Sequence, residues 1–310
     1  ILHDEPKREM PLEDRFKKIN RLFASAIEKG SFAQSSSDAF YVYKQTNQDS
    51  SYCGIIAGAS TKNYREGNIK KHEHTLEKRE KLFTKYLRLT GFNAEPILLI
   101  HQKSEELENL HQETNTTSPL HSFTSSDDVK HELWEVNSET NLQTIKESFG
   151  KMDSVYIADG HHRSASSSLL SLEDENKIST NNVMAFFMCE EDITIYDFNR
   201  VIENTVSIKK DKLKALLSEK FEVIEESNNI LKPTEKYQFS YFFDQKWIKI
   251  ALKPGFIDEN KIQIDSQILT DFILAPIFEI TDLKNDKRID FIPGNSGLGS
   301  LETEVNEGKF

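Results

Sequence analysis

Apolar positions recur with two different spacings along this chain, and the two spacings predict its helices and strands. Helical spacing predicts helices over 12–28, 76–89, 141–149, 164–172, 208–221 and 267–280, the last interrupted near Pro276. Alternating or fully apolar short runs predict strands over 39–45, 52–59, 97–100, 131–136, 155–158, 183–189, 193–196 and 289–292, and a hairpin over 237–243 and 246–252. The polar stretch 103–126 is expected to hold a helical excursion followed by a surface loop.

Helices and strands mix without strict alternation, which favours an α+β fold built on a mixed sheet with flanking helices. The pattern of predicted helices and strands changes after Ile202. We therefore predict a main α+β domain over 1–205 and a smaller C-terminal α+β part over 206–310, with one continuous domain as the alternative.

Charge and hydropathy narrow the classes of partner. The chain carries 39 Lys and Arg against 51 Asp and Glu, a net charge of −12, and glutamates interrupt its densest basic stretch, 70–88. Because phosphate neutralisation supplies most non-specific affinity for nucleic acid, a nucleic-acid partner is disfavoured. The longest apolar runs, such as 183–189, fall short of the roughly 20 residues that cross a bilayer. We expect no membrane partner and no signal peptide, and the oligomeric state stays open.

The cysteine and glycine content further limits the kinds of site that the chain can form. Cys53 and Cys189 lie far apart in hydrophobic contexts, which favours buried free thiols and a cytoplasmic location. Glycine accounts for 12 of 310 residues, and neither GxGxxG nor GxxxxGK[ST] occurs. Any nucleotide must therefore be held in another way.

The strongest local pattern is 155–165, where a strand, a tight turn and a helix follow one another. Backbone N–H groups at such a helix start bind anions. Three basic side chains crowd this start: His161, His162 and Arg163. Cations there are unfavourable by roughly 0.3–1 kcal/mol each unless an anion compensates, and arginine can hold a phosphate with paired donors. The alternative is structural: Asp159 caps the helix, Gly160 allows the turn, and the histidines bond locally.

A second cluster, Lys70-Lys71-His72-Glu73-His74-Thr75, stands just before the helix predicted over 76–89. His72 and His74 would share a face of an extended segment, although two ligands do not make a metal site. Glu73 between them is a candidate general base. A polar capping segment is the alternative.

A third candidate is the segment 197–200, which ends in Arg200. Its guanidinium is either another anion contact or an exposed charge. The segments 282–288 and 295–297 are expected to be turns.

Together these segments resemble a bacterial family of domains of unknown function, numbered 1015. The segments that carry the resemblance are 40–43, 54–56, 63–64, Gly67, 69–75, 94–96, 156–163 and 198–201. Its specific motifs are His-Glu-x-Thr and Asp-Gly-His-His-Arg, in this order. The resemblance also implies a Pro-Tyr-Asp element near the N-terminus and a Pro-Lys-Ser-Thr-Trp-Phe-like segment near the C-terminus, which this sequence does not contain.

The Asp-Gly-His-His-Arg motif is also similar to one in archaeal free-serine kinases, whose fold resembles the ParB and sulfiredoxin superfamily. This second resemblance implies a ParB/sulfiredoxin-like core and a phosphate held at 159–163. It further implies a carboxylate base opposite the phosphate, for which Glu73 is the candidate.

The resulting expectation is phosphoryl transfer on a small metabolite, with free serine as acceptor and ATP or ADP as co-substrate. The expected catalytic residues are Glu73, Asp159, His161 and His162, with Asp159 as the candidate Mg²⁺ ligand. The expected phosphate-binding residues are Lys71, His72, His74, Arg163 and Arg200. A phosphoserine phosphatase is one alternative, and a non-catalytic regulator that binds a nucleotide or phosphometabolite is another.

Overall fold

A computed structural model describes residues 10–48, 50–72, 75–173, 180–203, 208–257, 264–283, 285–308 and 310. The chain divides between Ile193 and Thr194 into two compact units. The domain division proposed at 205/206 stays a prediction, because residues 204–207 lie outside the described ranges. Among the described helices, none combines the length and the apolar character needed to cross a membrane.

The first unit is built on one mixed sheet. Its helices are α1 (Leu12–Glu28), α2 (Thr61–Glu66), α3 (Glu77–Thr90), α4 (Glu105–Asn115), α5 (Glu139–Gly150) and α6 (His161–Glu173). Its strands are β1 (Phe40–Thr46), β2 (Ser51–Ser60), β3 (Ile69–Lys70), β4 (Ile97–His101), β5 (His121–Thr124), β6 (Lys130–Val136), β7 (Val155–Asp159) and β8 (Asn182–Cys189). The strand order is β3-β7-β4-β8-β2-β1-β6-β5. β3 is parallel to β7 and β4 to β8, whereas the other neighbours are antiparallel.

Local signals in the sequence start and stop these helices. The side chains of Ser60, Ser104 and Ser138 accept hydrogen bonds from backbone N–H groups in the first turns of α2, α4 and α5, as N-cap serines do. Gly91 ends α3 in the left-handed conformation, with φ +80°, which is the usual helix stop.

One face of the sheet carries the core of the first unit. Pairings such as Val42 with Ile55 and Leu99 with Phe187 place alternate strand residues on that face. Helices α2, α4, α5 and α6 cover it with apolar side chains. The buried set is Val42, Ile55, Ala59, Tyr64, Ile69, Ile97, Leu99, Leu107, Leu110, Trp134, Val136, Ile145, Ile157, Ala165, Val183, Ala185 and Phe187. This burial fixes the register of β4 and β7, whose ends form the candidate site.

The second unit is also mixed. Its helices are α7 (Lys210–Ser218), α8 (Asp265–Leu269), α9 (Ala275–Phe278) and α10 (Gly299–Asn306). Its strands are β9 (Phe198–Ile202), β10 (Phe221–Ser227), β11 (Gln238–Phe243), β12 (Lys246–Leu252) and β13 (Ile289–Pro293). β12 lies between β10 and β11, and β9 pairs with β13. With the large mixed sheet of the first unit, this confirms the α+β class; a ParB/sulfiredoxin-like core stays a prediction.

Four expected elements differ from the structure. The surface loop expected at the end of 103–126 contains a strand, β5, which pairs with β6. The strand expected over 193–196 was wrong: the strand is β9, and Ile195 is 91% exposed. The helix expected over 208–221 stops at Ser218, because Phe221 is buried as the first residue of β10. The irregularity expected near Pro276 lies before it, in a π-helical turn over Thr270–Leu274.

Two histidines of the first unit sit in poorly solvated places. His101 ends β4 and is 2% exposed, and His111 lies on α4. The Nε2 atoms of both rings are buried without a hydrogen-bond partner among the described residues. Desolvation, and then the charge of His101, lowers the pKa of His111 to about 4.

The depressed pKa makes the first unit sensitive to acid. The unfolded chain takes up the His111 proton first as the pH falls below 6.5, the ordinary histidine value. Stability is therefore lost as the pH falls toward 4, by about 2 kcal/mol between pH 7 and pH 5. We predict that His111→Gln removes this part of the pH dependence, measured by urea unfolding at the two pH values. His121→Gln, on exposed β5, should behave like wild type. Equal pH dependence in His111→Gln and wild type would contradict the assignment.

Candidate functional site

The turn between β7 and α6 is the structural centre of the candidate site. Gly160 joins Asp159 to His161 with φ +95°. A Cβ atom at this position would lie 2.7 Å from Cγ2 and 3.2 Å from Cα of Ile97, in β4. Only glycine therefore allows both this backbone conformation and the close approach of the turn to β4.

Arg163 ties the same turn to the start of β4. Its Nη1 donates to the carbonyl oxygen of Pro96 and lies 3.0 Å from the Glu95 carboxylate, while Nη2 donates to the Asp159 carboxylate. The Arg163 side chain is 24% exposed, whereas that of Asp159 is 70% exposed. Two carboxylates thus already compensate this cation. Its role as a phosphate ligand stays a prediction, and the structure adds a role in holding the turn.

The first histidine of α6, His161, contacts a residue of the second sequence cluster, His72. His161 is 6% exposed, and its ring contacts that of His72 edge to face, with 4.4 Å between the ring centroids. The contact arises because β3, which ends just before Lys71, pairs with β7 through Ile69 and Val155. Two segments far apart in sequence are brought together at the start of one helix.

Two further predicted ligands lie close in sequence to this pair. The carbonyl oxygen of His162 accepts a hydrogen bond of 2.7 Å from Ser166, and its ring Nδ1 is buried without a hydrogen-bond partner in the described part of the chain. Lys71 is exposed, and its Nζ lies 4.2 Å from the centre of the Tyr64 ring. The ring Nδ1 of His162 and the ammonium of Lys71 therefore form no hydrogen bond with the described protein groups.

Three of the predicted residues remain: Glu73, His74 and Arg200. Glu73 and His74 lie outside the described residues, so their roles stay predictions. Arg200 is on β9 in the second unit.

A face of small side chains holds α6 against α3. Ser166 donates to the carbonyl oxygen of Glu80 at 3.1 Å, and Thr84 donates to that of Ser166 at 3.3 Å. Arg65 of α2 donates to the Ser171 hydroxyl at 2.7 Å. The buried serines of this helix are Ser164, Ser166, Ser167, Ser168 and Ser171. Helix α6, which begins within the second motif, and helix α3, which begins just after the first, are thereby fixed side by side.

Sequence reasoning missed several of these supporting residues. Glu95 and Pro96 were noted only as part of the family resemblance, and no role was given to Arg65. The signal that was present is the serine-rich run after Arg163, which is unusual for a helix that packs on a core. Which partners those serines would find depends on long-range packing.

The described residues do not form a metal site. In the described ranges, no three His, Cys, Asp or Glu side chains lie close enough to share an ion. Asp159, the expected Mg²⁺ ligand, already bonds Arg163, and that positive charge competes with a cation.

The Gly160 turn generates a stability prediction. Gly160→Ala should lower the free energy of unfolding by about 2–3 kcal/mol, because it adds both backbone strain and a clash with β4. Gly150→Ala is the matched control, since a Cβ there meets nothing within 4 Å; it should be neutral or stabilising by up to about 1 kcal/mol. Urea unfolding measures both variants, and a Gly160→Ala protein as stable as wild type would refute the constraint.

The contacts of Arg163 generate a second prediction. An ammonium cannot serve Pro96 and two carboxylates together, so Arg163→Lys should lower the stability of the ligand-free protein by about 1–2 kcal/mol. Arg79→Lys, exposed on α3, is the control and should change nothing measurable. Thermal and urea unfolding decide the matter, and unchanged stability in Arg163→Lys would show that these contacts do not support the turn.

Comparison with known proteins gives a family. The chain matches the family described as "Protein of unknown function (DUF1015)" over residues 2–272. No curated protein and no solved structure matches the chain, so the likeness to free-serine kinases rests on the motif alone. Because the family match covers most of the 310 residues, the chain belongs to the DUF1015 family.

Proposed function

We propose that the first unit binds a phosphorylated small metabolite or nucleotide at the start of α6 and transfers its phosphoryl group. The observation that carries this proposal is the contact between His72 and His161, 4.4 Å between ring centroids. Two imidazole rings this close can both offer ring N–H donors to one anion. The first backbone N–H groups of α6 lack intrahelical partners and favour an anion at the same place.

Phosphoryl transfer suits such a site because its catalysis consists mainly of positioning and charge stabilisation. In the proposal, His72 and His161 contact phosphate oxygens, and Lys71 supplies a further charge. Glu73, next to His72 in the sequence, accepts the proton of the acceptor hydroxyl as its oxygen bonds to phosphorus and the nucleotide oxygen leaves. Arg163 keeps the turn in place through Asp159 and Glu95.

Free serine is the first candidate for the acceptor, with ATP or ADP as the donor, supplied with Mg²⁺. The close alternative is a phosphoserine phosphatase, in which a histidine or Glu73 activates water. A regulator that binds nucleotide or phosphometabolite without turnover is the third candidate. The proposed setting is the cytoplasm, where the free thiols of Cys53 and Cys189 stay reduced, and neither nucleic acid nor membrane is the proposed partner.

Phosphorus NMR separates these candidates. The full chain is incubated with Mg²⁺, with ATP or ADP, and with a panel of hydroxy amino acids, and in parallel with phosphoserine alone. A kinase gives a new phosphomonoester signal that requires nucleotide. A phosphatase releases phosphate from phosphoserine without nucleotide. Saturable binding without turnover supports the regulator, and the absence of both binding and turnover would overturn the proposal.

The proposed base generates a mutational prediction. Glu73→Gln keeps shape and hydrogen bonding but removes the proton acceptor, so turnover should fall by roughly 100-fold or more with ligand affinity little changed. Glu77→Gln is the control, because Glu77 starts α3 in an exposed ion pair with Lys81 and should keep full turnover. Steady-state rates and a binding titration measure both. Unaltered turnover in Glu73→Gln would remove this residue from the mechanism.

A further inference from the structure

The second unit contains a cavity of about 750 Å³. It is lined by β9 and β11 and by parts of α7, α8 and α10. Its walls are largely apolar and aromatic, with side chains that include Leu213, Leu217, Phe239, Tyr241, Trp247 and Ile273. Cavities of this size and character are typical of sites for small organic molecules.

Three buried polar atoms in residues of this cavity wall lack a hydrogen-bond partner among the described residues. They are Nδ2 of Asn199, Nε of Arg200 and Oγ of Ser240. A buried polar atom without a partner costs about 1–3 kcal/mol. Two of the three atoms can only donate, so the group that would satisfy them is an acceptor.

The charge of Arg200 also lacks a counter-ion. Its Nη1 donates to the carbonyl oxygen of Phe198, and its guanidinium lies 5.2 and 5.7 Å from the ring centres of Phe198 and Phe291. No carboxylate of the described ranges forms an ion pair with it. Burial lowers the pKa of Arg200, which reflects the cost of holding this cation away from water.

Of the four Asp and Glu residues among the described residues that line the same cavity, Asp244 is one, and the other three are already engaged. Asp197 lies 3.7 Å from the Lys232 ammonium, and Asp265 accepts a hydrogen bond of 3.1 Å from the backbone of Tyr237. Glu235 accepts one of 3.3 Å from a side-chain amide. The guanidinium of Arg200, which forms no ion pair in the described ranges, therefore lies beside an apolar volume.

We propose that this cavity binds a small amphipathic anion. A carboxylate or phosphate head accepts hydrogen bonds from Arg200 and neutralises its charge. An apolar or aromatic body fills the space against the aromatic wall. This site belongs to the second unit and does not depend on the phosphoryl-transfer proposal for the first.

The first test uses the wild-type full chain and two nearly isosteric probes. Calorimetric titration compares 2-naphthoate with 2-naphthamide, which share the same body and differ in charge. The naphthoate should bind at least 10-fold more tightly, the scale of a hydrogen bond to a charged group. A third titration, with 2-naphthylphosphonate, shows which anionic head is preferred. If neither anion binds more tightly than the amide, the proposal is overturned.

The second test determines whether Arg200 binds the anionic head. Arg200→Gln should weaken naphthoate binding by about 10- to 100-fold and leave naphthamide binding unchanged. Arg200→Lys, which keeps the charge but loses the paired donors, should lie between Arg200→Gln and wild type. Lys212→Gln makes the same charge change at an exposed position of α7 and should bind like wild type. Circular dichroism confirms that each variant is folded.

A folded Arg200→Gln protein with wild-type affinity for naphthoate would overturn the proposal. If that variant does not fold, the comparison of probes on wild type and the Arg200→Lys titration still decide it. Because neither naphthoate nor naphthamide carries a phosphoryl group, failure here leaves the function proposed for the first unit untouched.

Discussion

The close approach of Gly160 to Ile97 is the constraint on which the candidate site depends. Ile97 is fully buried at the start of β4, so its position is set by the core of the sheet. A turn that touches its side chain and its Cα leaves room for hydrogen alone at position 160. Arg163 strengthens the same joint by reaching back to Pro96, the residue before Ile97. The start of α6 is thus placed by the interior of the first unit.

The charge at the start of α6 cannot be judged from the number of its basic residues alone. Three basic residues follow Gly160, and each would be unfavourable at a helix N-terminus. For Arg163 the protein provides its own counter-charges, in Asp159 and Glu95. The argument for an external anion therefore rests on the pair of His72 and His161, whose rings contact each other edge to face at the start of α6.

Features that depend on local interactions could be predicted from the sequence, whereas features that depend on long-range contacts could not. The strand, tight turn and helix around Gly160 are encoded locally, by an apolar run, a glycine and a polar helix start, and all three are present. The contact of His72 with His161 depends on the parallel pairing of β3 with β7, which no local pattern reveals. The expected strand at 193–196 failed because apolar residues such as Ile195 are exposed there, and periodicity does not report which side of a segment is buried. Phe221 was assigned to a helix for the same reason: its burial comes from sheet pairing with Leu252.

The central claim is that the paired histidines at the start of α6 form an anion site, and histidine-ring NMR tests it most directly. The chain has nine histidines, and ring signals labelled with ¹⁵N are followed during a titration with phosphoserine. The account predicts saturable shifts of His72, His161 and His162, while His121 on β5 stays unchanged. Equal shifts across the histidines, or none at His72 and His161, would contradict it.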